Sequence, residues 1–163
     1  MRRRSFLASV VPVTAGLRVF AQQPLKHPMP AFRARSLTGE TFTNASLRGK
    51  IVLIQFWATW CTFCRRDQPA VERIVKDYAS KGVIVLGISV REPRATVRTY
   101  LASSPRSCKI IVTEDTNLVD LFELRGFPSY LVLNPDGDIV AAQEGATGYD
   151  GLKEILDAAG VKA

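Results

Sequence analysis

Two of the chain's three cysteines, Cys61 and Cys64, stand two residues apart in the run Trp57-Ala58-Thr59-Trp60-Cys61-Thr62-Phe63-Cys64-Arg65-Arg66. Thiols at that spacing can close a small disulfide ring when the second lies one helical turn past the first. The surrounding residues supply that turn. Ile51–Trp57 is a near-continuous run of branched and aromatic residues, the pattern of a strand covered on both faces. From Cys61 to Ser80 the period becomes helical, with Val71, Ile74, Val75 and Tyr78 on one face. Cys61 is therefore predicted at the opening of a helix, where free backbone N–H groups and the positive end of the helix dipole favour a thiolate. Arg65 and Arg66 either add to that field from the first turn or point to solvent. Cys61 is then the expected nucleophile toward a disulfide, and the deeper Cys64 the thiol that resolves the mixed disulfide.

Other uses of two thiols fit the sequence less well. Structural zinc wants four ligands, and only Cys108 and His27 remain to complete a set. Covalent haem attachment needs a histidine directly after the second cysteine, where Arg65 stands. A purely structural disulfide would not need the strand-to-helix position. A copper chaperone would hold Cu(I) on the two soft thiolates without turnover, yet no methionine or histidine cluster accompanies the pair. No cofactor and no metal are expected. Cys108 reads as a small buried apolar residue, with a reactive third thiol as the alternative. His27, in a proline-flanked stretch, reads as a surface histidine.

The elements that must position the pair follow from the rest of the chain. Gln22 to Pro30 carries Pro24, Pro28 and Pro30 and is a loose lead-in. Ala31–Ser36 and Glu40–Thr43 flank a Leu37-Thr38-Gly39 turn as a β-hairpin. Asn44 to Gly49 is a turn. Pro69 sits inside the Cys61–Ser80 helix and should kink it. Gly82 ends that helix, and Val83–Val90 is a second buried strand. Pro93–Ala102 is a helix with proline in its first turn, Lys109–Val112 a short strand, and Thr116–Leu124 a short helix. Ser129–Asn134 and Asp138–Ala142 are strands joined by the turn Pro135-Asp136-Gly137. Tyr149–Ala159 closes the chain as an amphipathic helix with Leu152, Ile155 and Leu156 inward. Strands alternating with helices and ending in a hairpin predict an α/β fold with a mixed central sheet.

Residues 1–21 read as an export signal. Arg2-Arg3-Arg4 is a basic start, Ser5 to Leu17 a mostly apolar stretch broken by Pro12, and Val19-Phe20-Ala21 a cleavage site. The order Arg3-Arg4-Ser5-Phe6-Leu7 resembles the twin-arginine export signature, with an ordinary arginine-rich secretory signal as the alternative. Removal is expected rather than retention as an anchor, because the apolar run is short for a membrane span. Lipid attachment is not expected, since no cysteine lies near the cut. The formal charge of +7 loses most of its meaning in this reading, because Arg2, Arg3, Arg4 and Arg18 leave with the signal. No basic run with interleaved aromatics remains, so nucleic acid is not an expected partner.

The run Phe56-Trp57-Ala58-Thr59-Trp60-Cys61-x-x-Cys64-Arg65 resembles the thioredoxin superfamily, and more closely its TlpA/ResA-like branch of exported thiol–disulfide oxidoreductases. Leu47-Arg48-Gly49-Lys50, Gly82-Val83-Ile84-Val85-Leu86-Gly87 and Gly126-Phe127-Pro128-Ser129 extend the match over residues 31–163. The resemblance implies a thioredoxin-like domain with an N-terminal hairpin and an inserted strand and helix after Val90. It implies a cis Pro128 packed against the disulfide, a substrate chain paired with the backbone of Phe127, and a docking wall at Trp60. The carboxylate that follows the pair in this branch is matched by Asp67, where glutamate is usual, and the resemblance gives it proton exchange with Cys64 or tuning of the pair, with a solvated surface aspartate as the alternative. Thioredoxin's buried aspartate is matched by Gln55, which cannot titrate. By the same resemblance the protein is an extracytoplasmic reductase of disulfide-bearing or dithiol envelope proteins, apocytochrome c among them, supplied with electrons by a membrane thiol transporter. A peroxiredoxin-like thiol peroxidase shares the fold, but its pattern places proline and threonine upstream of the reactive cysteine. Thr59 precedes Cys61 by two residues rather than three, with no proline before it.

Overall fold

A computed structural model describes residues 26–161. The export-signal reading of residues 1–21 and the first part of the lead-in lie outside these residues. Eight strands form one mixed sheet in the order β1-β8-β7-β4-β5-β6-β2-β3. They are β1 (His27–Pro28), β2 (Arg33–Ser36), β3 (Thr41–Thr43), β4 (Ile51–Trp57), β5 (Val83–Ser89), β6 (Lys109–Thr116), β7 (Ser129–Leu133) and β8 (Asp138–Glu144). The helices are α1 (Thr62–Tyr78), followed by a 3-10 turn at Ala79–Lys81, then α2 (Arg94–Ser103), α3 (Leu118–Leu121) and α4 (Gly148–Asp157).

β4 is the central strand, parallel to β5 and antiparallel to β7. Its alternation explains the unbroken apolar run. Leu53 and Trp57 face a core shared with Val71, Ile74 and Tyr78 of α1, Val97 of α2, and Leu152 and Leu156 of α4. Val52, Ile54 and Phe56 face the other core, closed by Met29, Phe32, Leu118 and Ile139. Both faces are covered, so a strand with apolar residues at nearly every position is the stable solution. Gly87 on β5 sits where a side chain would crowd its neighbours. A Cβ there would sit 3.0 Å from Cys108 Sγ and 3.3 Å from Trp57 Nε1.

The predicted fold class is the observed one, and several element boundaries move. His27–Pro28, expected in a loose lead-in, pairs with Ile139 and Asp138 as an edge strand. Burial of Met29 just beyond it anchors the segment. β6 runs to Thr116 rather than stopping at Val112, because β2 pairs with it through Ser36–Ile111 and Ala34–Thr116. The acidic residues in that extension are met by Arg94, which lies 2.9 Å from Asp115 and 3.8 Å from Glu114. Once Thr116 belongs to β6 and Phe122 turns extended, α3 shrinks to Leu118–Leu121. α1 begins at Thr62, with Cys61 as the capping residue just before it, and Pro69 on its exposed side does not divide it. The β7–β8 hairpin closes on Asn134 and Asp138, with Gly137 at φ +81° where a side chain would be strained.

Candidate active site

The site forms where β4 hands over to α1. Trp57 ends the strand, and its carbonyl accepts from Val90 N–H at 2.9 Å, tying the handover to the end of β5. The Thr59 N–H then donates to Glu92 Oε2 at 2.8 Å, and the Thr59 hydroxyl donates to Glu92 Oε1. Glu92 is buried and also accepts from the Ser89 hydroxyl at 3.3 Å. One carboxylate thus clamps the turn that delivers the first cysteine. The Thr59 carbonyl accepts from Arg65 Nη1 at 3.0 Å, which holds that guanidinium beside the turn.

Cys61 caps α1 in extended conformation, and its sulfur accepts the Cys64 N–H at 3.0 Å. This bond uses one of the N–H groups that a helix start leaves without partners. Cys61 and Cys64 are joined as a disulfide, their Cα atoms 5.2 Å apart. Cys64 has no exposed surface, whereas Cys61 lines a cleft of about 450 Å³ with Trp60, Thr62, Phe63, Arg125, Gly126 and Phe127. Trp60 and Phe63 are the exposed large hydrophobic residues among those described, at 65% and 55%. Trp60 stands edge-on to Phe127 at 5.9 Å between ring centroids. The Phe127–Pro128 peptide bond is cis, an isomer that X–Pro bonds reach at far lower cost than other peptide bonds. The β7–β8 ladder begins at Ser129, so Phe127 lies beyond it. Gly145 N–H donates to the Pro128 carbonyl at 2.8 Å and fixes that loop from its far side.

Behind the disulfide lies a buried polar chain. Asp67 falls on the inward stripe of α1 with Cys64, Val71 and Ile74. Its Oδ2 accepts from the Tyr130 hydroxyl at 2.5 Å and from Thr147 N–H at 3.3 Å, and its Oδ1 from Gly148 N–H at 2.8 Å. The Tyr130 hydroxyl in turn accepts from Gln55 Nε2 at 3.2 Å, and Gln55 Oε1 from Arg106 Nη1 at 3.3 Å. The Arg106 guanidinium lies 3.6 Å over the Trp57 ring. Burial and the adjoining Asp67 carboxylate push the Tyr130 phenol well above its ordinary pKa, so it stays a donor. Cys108 is buried nearby, and desolvation raises its pKa to about 12. It is a neutral packing residue at physiological pH.

The structure therefore brings Trp60, Cys61 and Phe127 to one cleft, with Cys64 bonded to Cys61 and Pro128 next in the chain to Phe127. Asp67 sits one turn beyond Cys64, with its hydrogen bonds directed to Tyr130 and the start of α4. His27 is exposed. Glu92, Tyr130 and Arg106 did not stand out in the sequence, because their partners are 33, 63 and 51 residues away. Gln55, a polar residue inside an apolar strand, was the one local sign of the buried chain.

Comparison with known proteins agrees with this geometry. The profile of the AhpC/TSA family matches residues 25–142. The thiol-disulfide oxidoreductase ResA of Halalkalibacterium halodurans is 28% identical over 126 residues, spanning 77% of this chain and 72% of that protein. The thiol:disulfide interchange protein DsbE of Pseudomonas fluorescens is 34% identical over 69% of this chain and 62% of its own length. A crystal structure of a thioredoxin-family thiol:disulfide interchange protein from Chlorobium tepidum superposes with a TM-score of 0.70 at 26% identity, over 82% of this chain and 96% of that one. StoA from Bacillus subtilis, at 19% identity over 78% of this chain and 97% of its own, shares the fold with a TM-score of 0.67. With a CxxC pair capping its first long helix, this chain belongs to the AhpC/TSA family as a thioredoxin-like thiol–disulfide oxidoreductase of the ResA/DsbE kind.

Proposed function

We propose that the protein reduces disulfides of exported proteins by dithiol exchange, with Cys61 attacking and Cys64 resolving. The Cys61 thiolate attacks one sulfur of a substrate disulfide and releases the other as a thiolate. The Cys64 thiolate then attacks Cys61 Sγ, the second substrate sulfur leaves as a thiolate, and the Cys61–Cys64 bond forms. Two electrons pass to the substrate, and its thiolates are protonated from solvent. The observation that carries this reading is the asymmetry of the pair. Cys61 caps α1, receives the Cys64 N–H and lines the cleft, while Cys64 has no exposed surface. A negative sulfur at residue 61 would keep that N–H bond and the favourable end of the helix dipole.

Around the pair, Trp60 serves as a docking wall, and the Phe127 backbone, beyond the ladder and next to the cis Pro128, receives the substrate chain. Asp67 acts on the resolving thiol from one turn away. The work is done outside the cytoplasmic membrane, following export and removal of residues 1–21, on envelope proteins that include apocytochrome c. A membrane thiol transporter returns the disulfide to the dithiol. The basic start, apolar stretch and Val19-Phe20-Ala21 site support the location. The relatives named ResA and DsbE support the chemistry.

The test is to express Cys64→Ala in a bacterial host and isolate the envelope without reductant. Covalent adducts that dissolve in dithiothreitol and vanish in Cys61→Ala/Cys64→Ala are expected. Recovery of the variant free of any adduct would overturn the assignment of Cys61.

A further inference from the structure

Two adjoining clefts share Phe63, Gly126 and Phe127, and one of them reaches Cys61. One, lined by Trp60, Cys61, Phe63 and Phe127, has Arg125 as its charged wall. The other, of about 460 Å³, shares Phe63, Gly126 and Phe127 with the first and adds Arg66 and Glu144. Arg66 stands 4.7 Å over the Phe63 ring, so its charge rides on the aromatic wall itself. Arg65 is held at the Thr59 carbonyl. The first turn of α1 carries no acidic residue.

The carboxylates near this face do little to balance the three arginines. Asp67 and Glu92 are buried and turned inward to their own donors. Glu123 is 91% exposed and reaches Arg125 only at 3.8 Å. Glu144 lies with Oε1 against the Gly126 backbone, at the second cleft. The first cleft, the one that Cys61 lines, therefore combines three aromatic rings with one side-chain cation and no carboxylate. Exposed aromatic surface of this kind marks a binding face, and a guanidinium at its edge pairs best with a planar carboxylate.

We infer that this face selects disulfides set in acidic, partly apolar segments: a hydrophobic residue beside the substrate cysteine packs against Trp60 and Phe127, and an aspartate or glutamate close in sequence meets Arg125. The inference rests on Cys61 as the attacking atom and adds the class of polypeptide that it attacks. It concerns recognition alone, so the exchange chemistry is as written above.

The experiment uses three synthetic peptides, each with one cysteine flanked by leucine and linked as a disulfide to the same small fluorogenic thiol. They differ at two nearby positions, which are glutamate, glutamine or lysine. Second-order rates of reduction by the reduced protein are measured at low and at high salt. The glutamate peptide is expected to react about two- to fivefold faster than the glutamine peptide, the worth of an exposed ion pair, and the lysine peptide slower than both. The order should compress at high salt. Arg125→Gln should erase most of the preference, and Arg125→Glu should reverse it, each read as the ratio of rates among the three peptides. Equal rates for all three peptides, or a preference that Arg125→Glu leaves intact, would overturn the inference while leaving Cys61 as nucleophile. Failure to reduce any of the three would sink the reductase reading as well.

Discussion

The two sides of the disulfide are built on opposite terms. Toward solvent, Trp60 and Phe63 are exposed, and the cleft beside Cys61 is open. Toward the core, Asp67, Tyr130, Gln55 and Arg106 form a continuous hydrogen-bonded chain, and Gln55 has no exposed surface. An outer face that leaves aromatic area uncovered is completed by a partner. At the inner end both Asp67 oxygens already accept, and these bonds hold α1, β4, β7 and α4 in one arrangement. Changes on the outer side should therefore alter reaction with substrates and leave stability alone, and changes on the inner side should lower stability and leave the first attack by Cys61 alone.

The pair itself lies on the boundary, and the largest effect is expected there. Cys61→Ala should lower the rate of disulfide reduction at least about a thousandfold, as loss of a nucleophile does. Cys64→Ala should keep the first attack and lose turnover. In the reduced protein, limited alkylation should label Cys61 ahead of Cys64 and Cys108, read by mass spectrometry of the digested chain. Equal labelling of the first two would erase the distinction between the sides at its most important atom.

The next effect belongs to the inner side and appears only in alkali. Cys108 is held neutral by burial with a pKa of about 12, whereas an unfolded cysteine ionises near about 8.5. Between those values the folded state keeps a proton that the unfolded state gives up. The contribution of this thiol to stability is thus fully present below the lower value and is lost as pH rises toward the higher one, at about 1.4 kcal/mol per pH unit. Urea titrations of the parent and of Cys108→Ala at pH 7 and pH 10.5 should show the parent losing more stability on going to alkali. Parallel losses in the two proteins would mean that Cys108 is not buried as described.

Tyr130→Phe probes the middle of the inner chain. It removes the hydroxyl that donates to Asp67 at 2.5 Å and accepts from Gln55, leaving the Gln55 amide with an unmet donor in the core. A loss of about 1–3 kcal/mol is expected, the usual penalty for a buried group deprived of its partner. The urea midpoint should fall with an unchanged slope. The rate of the first attack, measured with Cys64→Ala as background, should hold. A variant as stable as the parent would show that the chain is not what ties α1 to β4 and β7.

The difference between the two sides also accounts for what could be read from the chain before its structure. The outer side is written locally. Trp60, Cys61, Phe63 and Cys64 are neighbours, and the strand-to-helix change that presents them is a switch of apolar period within one segment. The fold class follows from the same periodicities, with Leu152 and Leu156 of α4 and the Asn134–Asp138 turn both where they were expected. The inner side is written across the fold. The Asp67 carboxylate finds Tyr130 and the N–H groups of Thr147 and Gly148 only after β7 and α4 are in place, and the Thr59 turn finds Glu92 only after β5 has formed. His27–Pro28 and the far half of β6 joined the sheet for the same reason, because a waiting strand edge outweighs weak local propensity.

The smallest effect sharpens the comparison most. Trp60→Ala removes a side chain that is 65% exposed and meets Phe127 only edge-on. Stability should stay within about 0.5 kcal/mol of the parent, as for most surface positions. The rate on a folded disulfide-bearing protein should fall a few-fold, because the lost aromatic wall is contact area for a polypeptide. The rate on a small disulfide that touches little beyond the sulfur should be unchanged. These two rates separate docking from reactivity, since a wall that merely tuned the Cys61 sulfur would slow both substrates alike.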